Sequence, residues 1–141
     1  MAGLTSLWDL EGRWSLTRRI QHGDGRVDRM TGWADFHRSG EHLRQDEKGT
    51  LEVNQQRLEA EQSYIWTALE DRLEVLFNDH RPFHDVPIGV VKPEAEHFCT
   101  PDMYNVRYDF SGWPTWTSIW SVQGPRKNYV MTSTYAKTPS K

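Results

Sequence analysis

The stretch Gly12-Arg13-Trp14-Ser15-Leu16-Thr17-Arg18-Arg19-Ile20, near the start of the chain, decides the fold. Its even positions carry Trp14, Leu16, Arg18 and Ile20, and its odd positions carry only polar side chains. Side chains of a β-strand point alternately to its two faces, so a period of two is typical of a strand with one buried face. The stretch therefore predicts a half-buried strand, with Arg18 on the same face as the apolar residues.

The same alternation recurs along nearly the whole chain, between short turn signals. Gly23-Asp24-Gly25, Ser39-Gly40 and Gly124-Pro125 are typical of turns, and the strands follow one another at a spacing of roughly 8–12 residues. We expect residues 1–137 to form one all-β domain, an antiparallel up-and-down β-barrel of about nine strands, because closure removes exposed strand edges. At most a short N-terminal helix, capped by Thr5 or Ser6, precedes the barrel. Residues 138–141 are expected to form a polar tail.

Prolines interrupt this pattern in the second half of the chain. Pro82 is predicted to end the pairing of the strand that reaches Phe77, because proline cannot donate a hydrogen bond to a neighbouring strand. Residues 85–93, which contain two more prolines, are predicted to form a loop. A short strand with His97 and Cys99 on one face follows.

Charge and composition exclude several classes of protein. Seventeen lysines and arginines against twenty aspartates and glutamates leave a net charge of −3, and no basic run exceeds two residues. Neither a nucleic acid nor an anionic membrane is therefore an expected partner. No apolar run approaches the ~20 residues that span a bilayer, and the single cysteine cannot form an internal disulfide. Residues 1–4 begin no apolar signal segment, so a reduced, cytoplasmic setting is expected.

Aromatic residues are expected to supply much of the core. The chain has seven tryptophans and five tyrosines, although only 36% of its residues are hydrophobic. Large rings bury much area, and those of tryptophan and tyrosine also carry a polar group that needs a partner. This composition favours a barrel interior lined partly by rings and partly by polar side chains.

Polar side chains on the predicted inward faces leave two interpretations open. In the first, Arg18 and Arg81 hold a ligand carboxylate, and neighbouring rings stack on a flat ligand. In the second, Arg18 pairs with Glu47 and Arg81 with Asp102, in a network that fills the barrel and sets the strand register. The complete predicted ligand-binding set is Arg18, Glu47, Tyr64, Arg81, His84, His97, Asp102, Tyr104, Trp120 and Lys127.

Residues 79–102 hold the densest cluster of reactive side chains: three histidines, three aspartates, one arginine and the only cysteine. His84, His97, Cys99 and Asp102 are of types that bind metals, but their spacing matches no specific metal motif, so neither a metal nor another cofactor is expected. Cys99 is interpreted as a small buried apolar residue, and both histidines as hydrogen-bonded groups at a cavity rim. The proline two residues before His84 breaks the parity count, which leaves the orientation of that histidine open.

The first strand also resembles that of a known superfamily. Its Gly12-Arg13-Trp14 opening is similar to that of lipocalins and other calycins, where the tryptophan plugs the barrel base and a basic residue near the last strand packs over it. The resemblance assigns that basic role to Arg126 or Lys127.

Over nearly its full length the chain resembles a bacterial family of lipocalin-like domains of unknown function. The matching stretches are Leu10–Ile20, Arg81-Pro82-Phe83-His84, His97–Tyr104 and Trp120–Tyr129. Asn78-Asp79-His80 departs from the Asp-Gly that the family has before the arginine, so the geometry of this turn stays open. The resemblance implies a calycin barrel in the cytoplasm and supplies no established activity.

Together these observations predict a small-molecule binding protein that holds an anionic or aromatic ligand in a polar-lined barrel cavity. One alternative is a cofactor-independent lyase or isomerase of small organic acids, using Arg18, Glu47, Tyr104 and His97, by similarity of fold to lipocalin-fold decarboxylases of phenolic acids. Another is a structural or interaction protein with a filled barrel, and a filled interior would contradict the first two. Apolar residues on the outer face, such as Trp33, leave a homodimer open.

Overall fold

The computed structural model describes residues 3–137, so the expected polar tail at 138–141 lies outside the described residues. A 3₁₀ helix, Leu7–Leu10, precedes ten strands. The strands are β1 Gly12–His22, β2 Val27–Ser39, β3 His42–Val53, β4 Gln56–Ala68, β5 Arg72–Phe77, β6 Pro82–Pro87, β7 Glu94–Cys99, β8 Asp102–Asp109, β9 Trp116–Gln123 and β10 Asn128–Lys137. The predicted all-β fold is confirmed, with ten strands in place of about nine. Within residues 3–137, no helix is long and apolar enough to cross a membrane.

All ten strands belong to one antiparallel sheet that curls into a nearly closed barrel. β1 pairs with β2 on one side and with β10 on the other, and the order around the barrel is β6-β5-β4-β3-β2-β1-β10-β9-β8-β7. β6 and β7 are the two ends of this sheet, and no ladder between them is found in the described part of the chain. The barrel is therefore hydrogen-bonded all round except at this place, the β6–β7 gap.

Strand β6 corrects the prediction for the proline-rich segment. Pro82 begins a strand instead of ending the pairing, and residues up to Pro87 pair with β5, so the expected loop at 85–93 is shortened to 88–93. Proline is tolerated here because β6 is an edge strand and Pro82 is its first residue. The register shifts between Val75, which pairs with His84, and Leu76, which pairs with Pro82. Phe83 is thus the extra residue of a β-bulge, and both Phe83 and His84 are buried.

The 3₁₀ helix covers one end of the barrel, called the base here. Ser6 caps it by accepting a hydrogen bond from the Trp8 amide at 3.2 Å, as one of the two predicted caps. The side chains of Leu7 and Leu10 are buried. Beneath them, the Trp14 indole donates a hydrogen bond to the Leu10 carbonyl oxygen at 2.8 Å. The opposite end, called the upper end, is formed by the turns at 23–26, 54–55, 78–81, 100–101 and 124–127.

Lys137, at the end of β10, is the basic residue that covers Trp14. Its Nζ lies 4.4 Å from the centre of the Trp14 ring and donates to the Glu11 carbonyl oxygen at 2.7 Å. The assignment of this role to Arg126 or Lys127 is wrong, because the turn that holds both residues lies at the upper end. Antiparallel pairing brings the end of the last strand, and not its beginning, to the start of β1.

We expect Trp14→Phe to lower the free energy of unfolding by at least about 1 kcal/mol, because the buried Leu10 carbonyl loses its hydrogen-bond donor. The smaller ring also leaves a cavity at this fully buried position, which adds to the loss. Urea denaturation of the variant and the parent measures this difference. Trp33→Phe is the matched control, since Trp33 is 42% exposed on the outer face. An equal change in both variants would contradict a stabilising role for Trp14 at the base of the barrel.

Candidate functional site

A buried polar network crosses the middle of the barrel and is centred on Glu47 of β3. Its Oε1 accepts from Arg18 Nη2 at 2.9 Å, and its Oε2 accepts from Tyr135 Oη at 2.6 Å and from Gln45 Nε2 at 2.8 Å. The Glu47 side chain is 1% exposed and that of Arg18 is 10% exposed. The Arg18–Glu47 pair of the second interpretation is therefore formed.

The guanidinium group of Arg18 donates hydrogen bonds to several members of this network. Besides Glu47, it donates through Nε to Ser133 Oγ at 2.7 Å, and through Nη2 to Tyr135 Oη at 3.3 Å. Burial alone lowers the pKa of Arg18, but the adjacent carboxylate outweighs this effect and the net pKa is raised. Burial, followed by the charge of Glu47, raises the pKa of Tyr135. Both groups keep their ordinary charge states at neutral pH, and Arg18 already has a carboxylate partner in Glu47.

His84 points into the barrel because the bulge at Phe83 shifts the parity of β6. Its Nε2 lies 2.8 Å from Tyr108 Oη, whereas its Nδ1 is buried without a hydrogen-bond partner. Burial, with a smaller contribution from His97, lowers the pKa of His84 to about 3. The expectation of a hydrogen-bonded histidine is met, but the residue lies in the interior and not at the rim.

A small cavity lies beside this histidine. Its free volume is about 10 Å³, which is about the room that one buried water molecule needs. Trp116 Nε1, a second buried polar atom without a partner, belongs to its lining together with His84 and Ser118. Within residues 3–137 the interior around His84 is therefore filled in this conformation, which contradicts the predicted open, polar-lined cavity. A ligand larger than water could enter only if an interior side chain moved aside.

An aromatic cluster around Phe83 fills the barrel next to the β6–β7 gap. The Phe83 ring stacks on Phe77 with centroids 4.5 Å apart and an interplanar angle of 17°. The other rings around Phe83 have centroids 4.4 to 6.1 Å away and belong to His84, Trp120, His97, Tyr104 and Tyr64. Five of the predicted site residues, Tyr64, His84, His97, Tyr104 and Trp120, thus meet around one ring. Alternation along the sequence does not single out Phe83, because a bulge carries no alternation signal.

At the upper end, Lys127 connects two further residues of the predicted set. Its Nζ lies 3.3 Å from Asp102 Oδ2 and donates to Tyr104 Oη at 3.4 Å. The hydrogen bond with Tyr104 is the main cause that raises the pKa of Lys127. Asp102 is therefore paired with Lys127, and not with Arg81 as in the second interpretation.

Arg81 lies outside the barrel, which corrects its predicted inward position. Its Nε donates to Asp79 Oδ2 at 2.7 Å, and the two side chains are 71% and 55% exposed. The strand ends at Phe77 and the chain then turns, so the alternation cannot be continued through residues 78–81. The predicted pair of arginines that would hold one carboxylate is therefore not formed.

Cys99 is exposed at the end of β7, so its predicted burial is also wrong. The alternation of β7 assigned it to the inner face, but it ends an edge strand beside the turn at 100–101. The four residues weighed as metal ligands do not assemble: His84 lies in the interior, whereas Cys99 is at the surface. Among residues 3–137, no group of three histidine, cysteine, aspartate or glutamate side chains could hold a metal ion.

A comparison with models of protein families identifies the family of this chain. Residues 10–137 match the model of a family of unknown function, DUF6314. The chain belongs to the DUF6314 family. The predicted membership of a family of unknown function is thus confirmed, whereas its bacterial source stays a prediction. No curated protein matches the sequence of this DUF6314 protein.

Among solved structures, the DUF6314 protein is similar to the S-type phycobiliprotein lyase CPES from Guillardia theta. The TM-score is 0.63 at 10% sequence identity, and the match covers 96% of this chain and 92% of the lyase. At this identity the likeness concerns the fold alone. Two chains with few residues in common therefore build the same kind of barrel, and activity cannot be transferred between them on this basis.

Proposed function

We propose that this DUF6314 protein is a small-molecule binding protein that takes a flat aromatic ligand into the upper half of its barrel, in the place that the Phe83 ring fills. The observation that carries the proposal is the environment of that ring. Phe77 lies parallel to it at 4.5 Å, and the edge-on rings of Trp120 and His97 lie at 5.2 and 5.4 Å. Such a slot suits a flat aromatic molecule, because aromatic pairs favour stacked and edge-to-face arrangements.

The position of Phe83 in the sheet supports the proposal that a ligand can displace its ring. It belongs to the bulge of edge strand β6, and across the β6–β7 gap its neighbour His97 contacts it through the rings and not through a backbone ladder. A segment with few backbone hydrogen bonds opens locally at a lower free-energy cost than a central strand does. When a ligand enters through the β6–β7 gap and displaces Phe83, its aromatic contacts with the surrounding rings would replace those that Phe83 loses.

Polar groups beneath the slot would orient the ligand. His84 Nδ1 and Trp116 Nε1 are buried without partners, so a ligand that reaches the floor of the slot can satisfy them. Arg18 is a weaker candidate, because Glu47 already accepts its hydrogen bond. We therefore favour an aromatic ligand over an anionic one in the interior. An anionic substituent could reach Lys127 at the upper end, which is paired with Asp102 but is 47% exposed.

A fluorescence titration with 1-anilinonaphthalene-8-sulfonate at neutral pH tests this proposal. Phe83→Leu removes the competing ring while keeping an apolar side chain, so we expect roughly 2–10-fold tighter binding, the equivalent of one aromatic pair. Trp120→Leu removes one wall, and we expect a loss of about the same size. Phe98→Leu is the matched control, since Phe98 is 59% exposed on β7. Equal affinities for the Phe83 and Phe98 variants would refute the slot.

A filled barrel without a ligand is the second candidate function, as a structural or interaction protein. The observation that favours it is the interior cavity of only about 10 Å³. Native mass spectrometry of the protein purified from its host separates the two candidates. A bound small molecule supports the binding protein, whereas a bare chain, together with no dye binding by either the parent or the Phe83 variant, supports the filled barrel.

The lyase or isomerase alternative is supported less well. Glu47 and His84 each lie within hydrogen-bond distance of an interior tyrosine, as acid–base chemistry would require. A general base works best with a pKa near the working pH, but burial lowers the pKa of His84 to about 3 and raises the pKa of Tyr108. At neutral pH this pair is suited to hydrogen bonding and not to proton transfer.

A further inference from the structure

The outer surface of the barrel has a groove on the side opposite to the β6–β7 gap in the strand order. It lies across β2, β1 and β10 and has a volume of about 480 Å³. Its lining contains the exposed Arg19 of β1 and Arg29 of β2 and four threonines from the same three strands. Arg18 and Met30, whose side chains belong to the barrel interior, complete the lining. Both arginines point outward, away from the aromatic slot proposed as the ligand site, and both are exposed.

The two arginines occupy directly opposed positions in the antiparallel pair of β1 and β2. Like charges in such positions repel each other and destabilise a sheet. Most lysines and arginines in the described part of the chain have a carboxylate within ion-pair distance, but neither Arg19 nor Arg29 has one there. Among the described residues, the Arg19 side chain donates to the neutral Gln21 side chain, at 2.9 Å. This pair of cations is therefore uncompensated within residues 3–137.

The nearest acidic position in the register does not neutralise them. Glu52 of β3 lies across from Arg29, but its carboxylate lies 3.5 Å from Arg57 on the far side, its ion-pair partner. Hydroxyls occupy the neighbouring positions: Thr17 pairs with Thr31 on β2 and with Thr134 on β10, and Thr132 pairs with Arg19. The groove therefore combines two guanidinium groups with several hydroxyl donors.

We propose that this groove binds the phosphate group of a small phosphorylated molecule. A phosphate carries up to two negative charges, which match the two guanidinium groups, and guanidinium forks bind phosphate oxygens with two parallel hydrogen bonds. The remaining phosphate oxygens can accept hydrogen bonds from the threonine hydroxyls. A carboxylate has only two oxygens, so it would leave more of these hydroxyl donors without an acceptor. The volume of the groove exceeds that of a phosphate and leaves room for the rest of such a molecule. Arg19 and Arg29 point away from the aromatic slot, although Arg18 belongs to the lining of both the groove and the interior cavity.

Thermal unfolding with inorganic phosphate as the probe tests the site. We expect about 10 mM phosphate to raise the melting temperature of the parent by a few degrees above a chloride control of equal ionic strength, because a ligand that binds only the folded state stabilises it. Calorimetric titration should show roughly tenfold weaker binding for Arg19→Gln and for Arg29→Gln, and none for the double variant. Arg107→Gln, at an exposed arginine of β8, is the matched control and should bind phosphate as the parent does.

The double variant also reports on the repulsion itself. In phosphate-free buffer it should melt at the same temperature as the parent or above it, because the opposed charges are gone; a clearly lower temperature would contradict the uncompensated pair. Equal phosphate dependence in the parent and the double variant overturns the proposal, as does the absence of a phosphate effect beyond that of chloride. Binding to phosphatidate vesicles without a response to free phosphate would also overturn it, in favour of a membrane-facing role.

Discussion

Replacing Arg18 with methionine is expected to lower the free energy of unfolding by about 3–5 kcal/mol, because the Glu47 carboxylate then stays in the barrel interior without its cationic partner. Glu47 is 1% exposed, so water cannot take over the role of the guanidinium. Tyr135 and Gln45 still donate to the carboxylate, which moves the expected loss toward the lower end of this range. Urea denaturation monitored by tryptophan fluorescence measures the difference.

The double variant Arg18→Met/Glu47→Leu distinguishes a lost charge partner from lost packing. Removing both charges also removes the cost of an isolated buried carboxylate, so we expect the double variant to recover most of the stability lost by Arg18→Met. A double variant that loses the sum of the two single losses would contradict this account. Arg81→Met is the control, since its pair with Asp79 is exposed to solvent and is expected to have no measurable effect.

Acidification is expected to destabilise the protein through His84. Burial lowers the pKa of this histidine from 6.5 to about 3 in the folded chain, whereas in the unfolded chain it titrates near its ordinary pKa. The folded state therefore binds fewer protons than the unfolded state between these two pH values. The stability that the neutral form contributes is complete above pH 6.5 and is lost as the pH falls toward 3.

The size of this effect follows from the pKa difference. Each pKa unit corresponds to about 1.4 kcal/mol, so the loss approaches about 4–5 kcal/mol near pH 3. His84→Gln keeps a hydrogen-bonding side chain beside Tyr108 but cannot take up a proton. Its unfolding free energy, followed by urea titrations from pH 7 to pH 3.5, should fall less steeply than that of the parent. His80→Gln, at the exposed turn before β6, is the control, and a slope of the His84 variant equal to that of the parent would contradict the prediction.

Alternation predicts the inward residues wherever a strand runs without interruption. Arg18, Glu47, Tyr64 and Trp120 lie inside as the period of two indicates, and the pairing of Arg18 with Glu47 was one of the two interpretations that the sequence left open. The prediction fails at strand ends, because the backbone direction changes there. Arg81 follows Phe77 by an even number of residues, yet a turn separates them and the arginine is exposed.

The aromatic slot could not be predicted in the same way. Phe83 and His84 are adjacent in the sequence, so simple alternation assigns them to opposite faces of β6. The register shift opposite Val75 and Leu76 buries both, and a bulge of this kind depends on how two strands meet and not on the residues of one strand. The best-supported candidate site therefore depends on a residue that the sequence analysis did not select.

The sequence by itself determined the all-β class, the up-and-down antiparallel barrel and the polar character of the interior, because these follow from a period of two, from the turn signals and from the residue types on each face. Only the tertiary structure decided which polar groups meet, that the interior keeps room for about one water molecule, and that two outward arginines face each other. The reason is physical: alternation is a property of one strand, whereas pairing partners, bulges and free volume arise from the register between strands that are far apart in the chain.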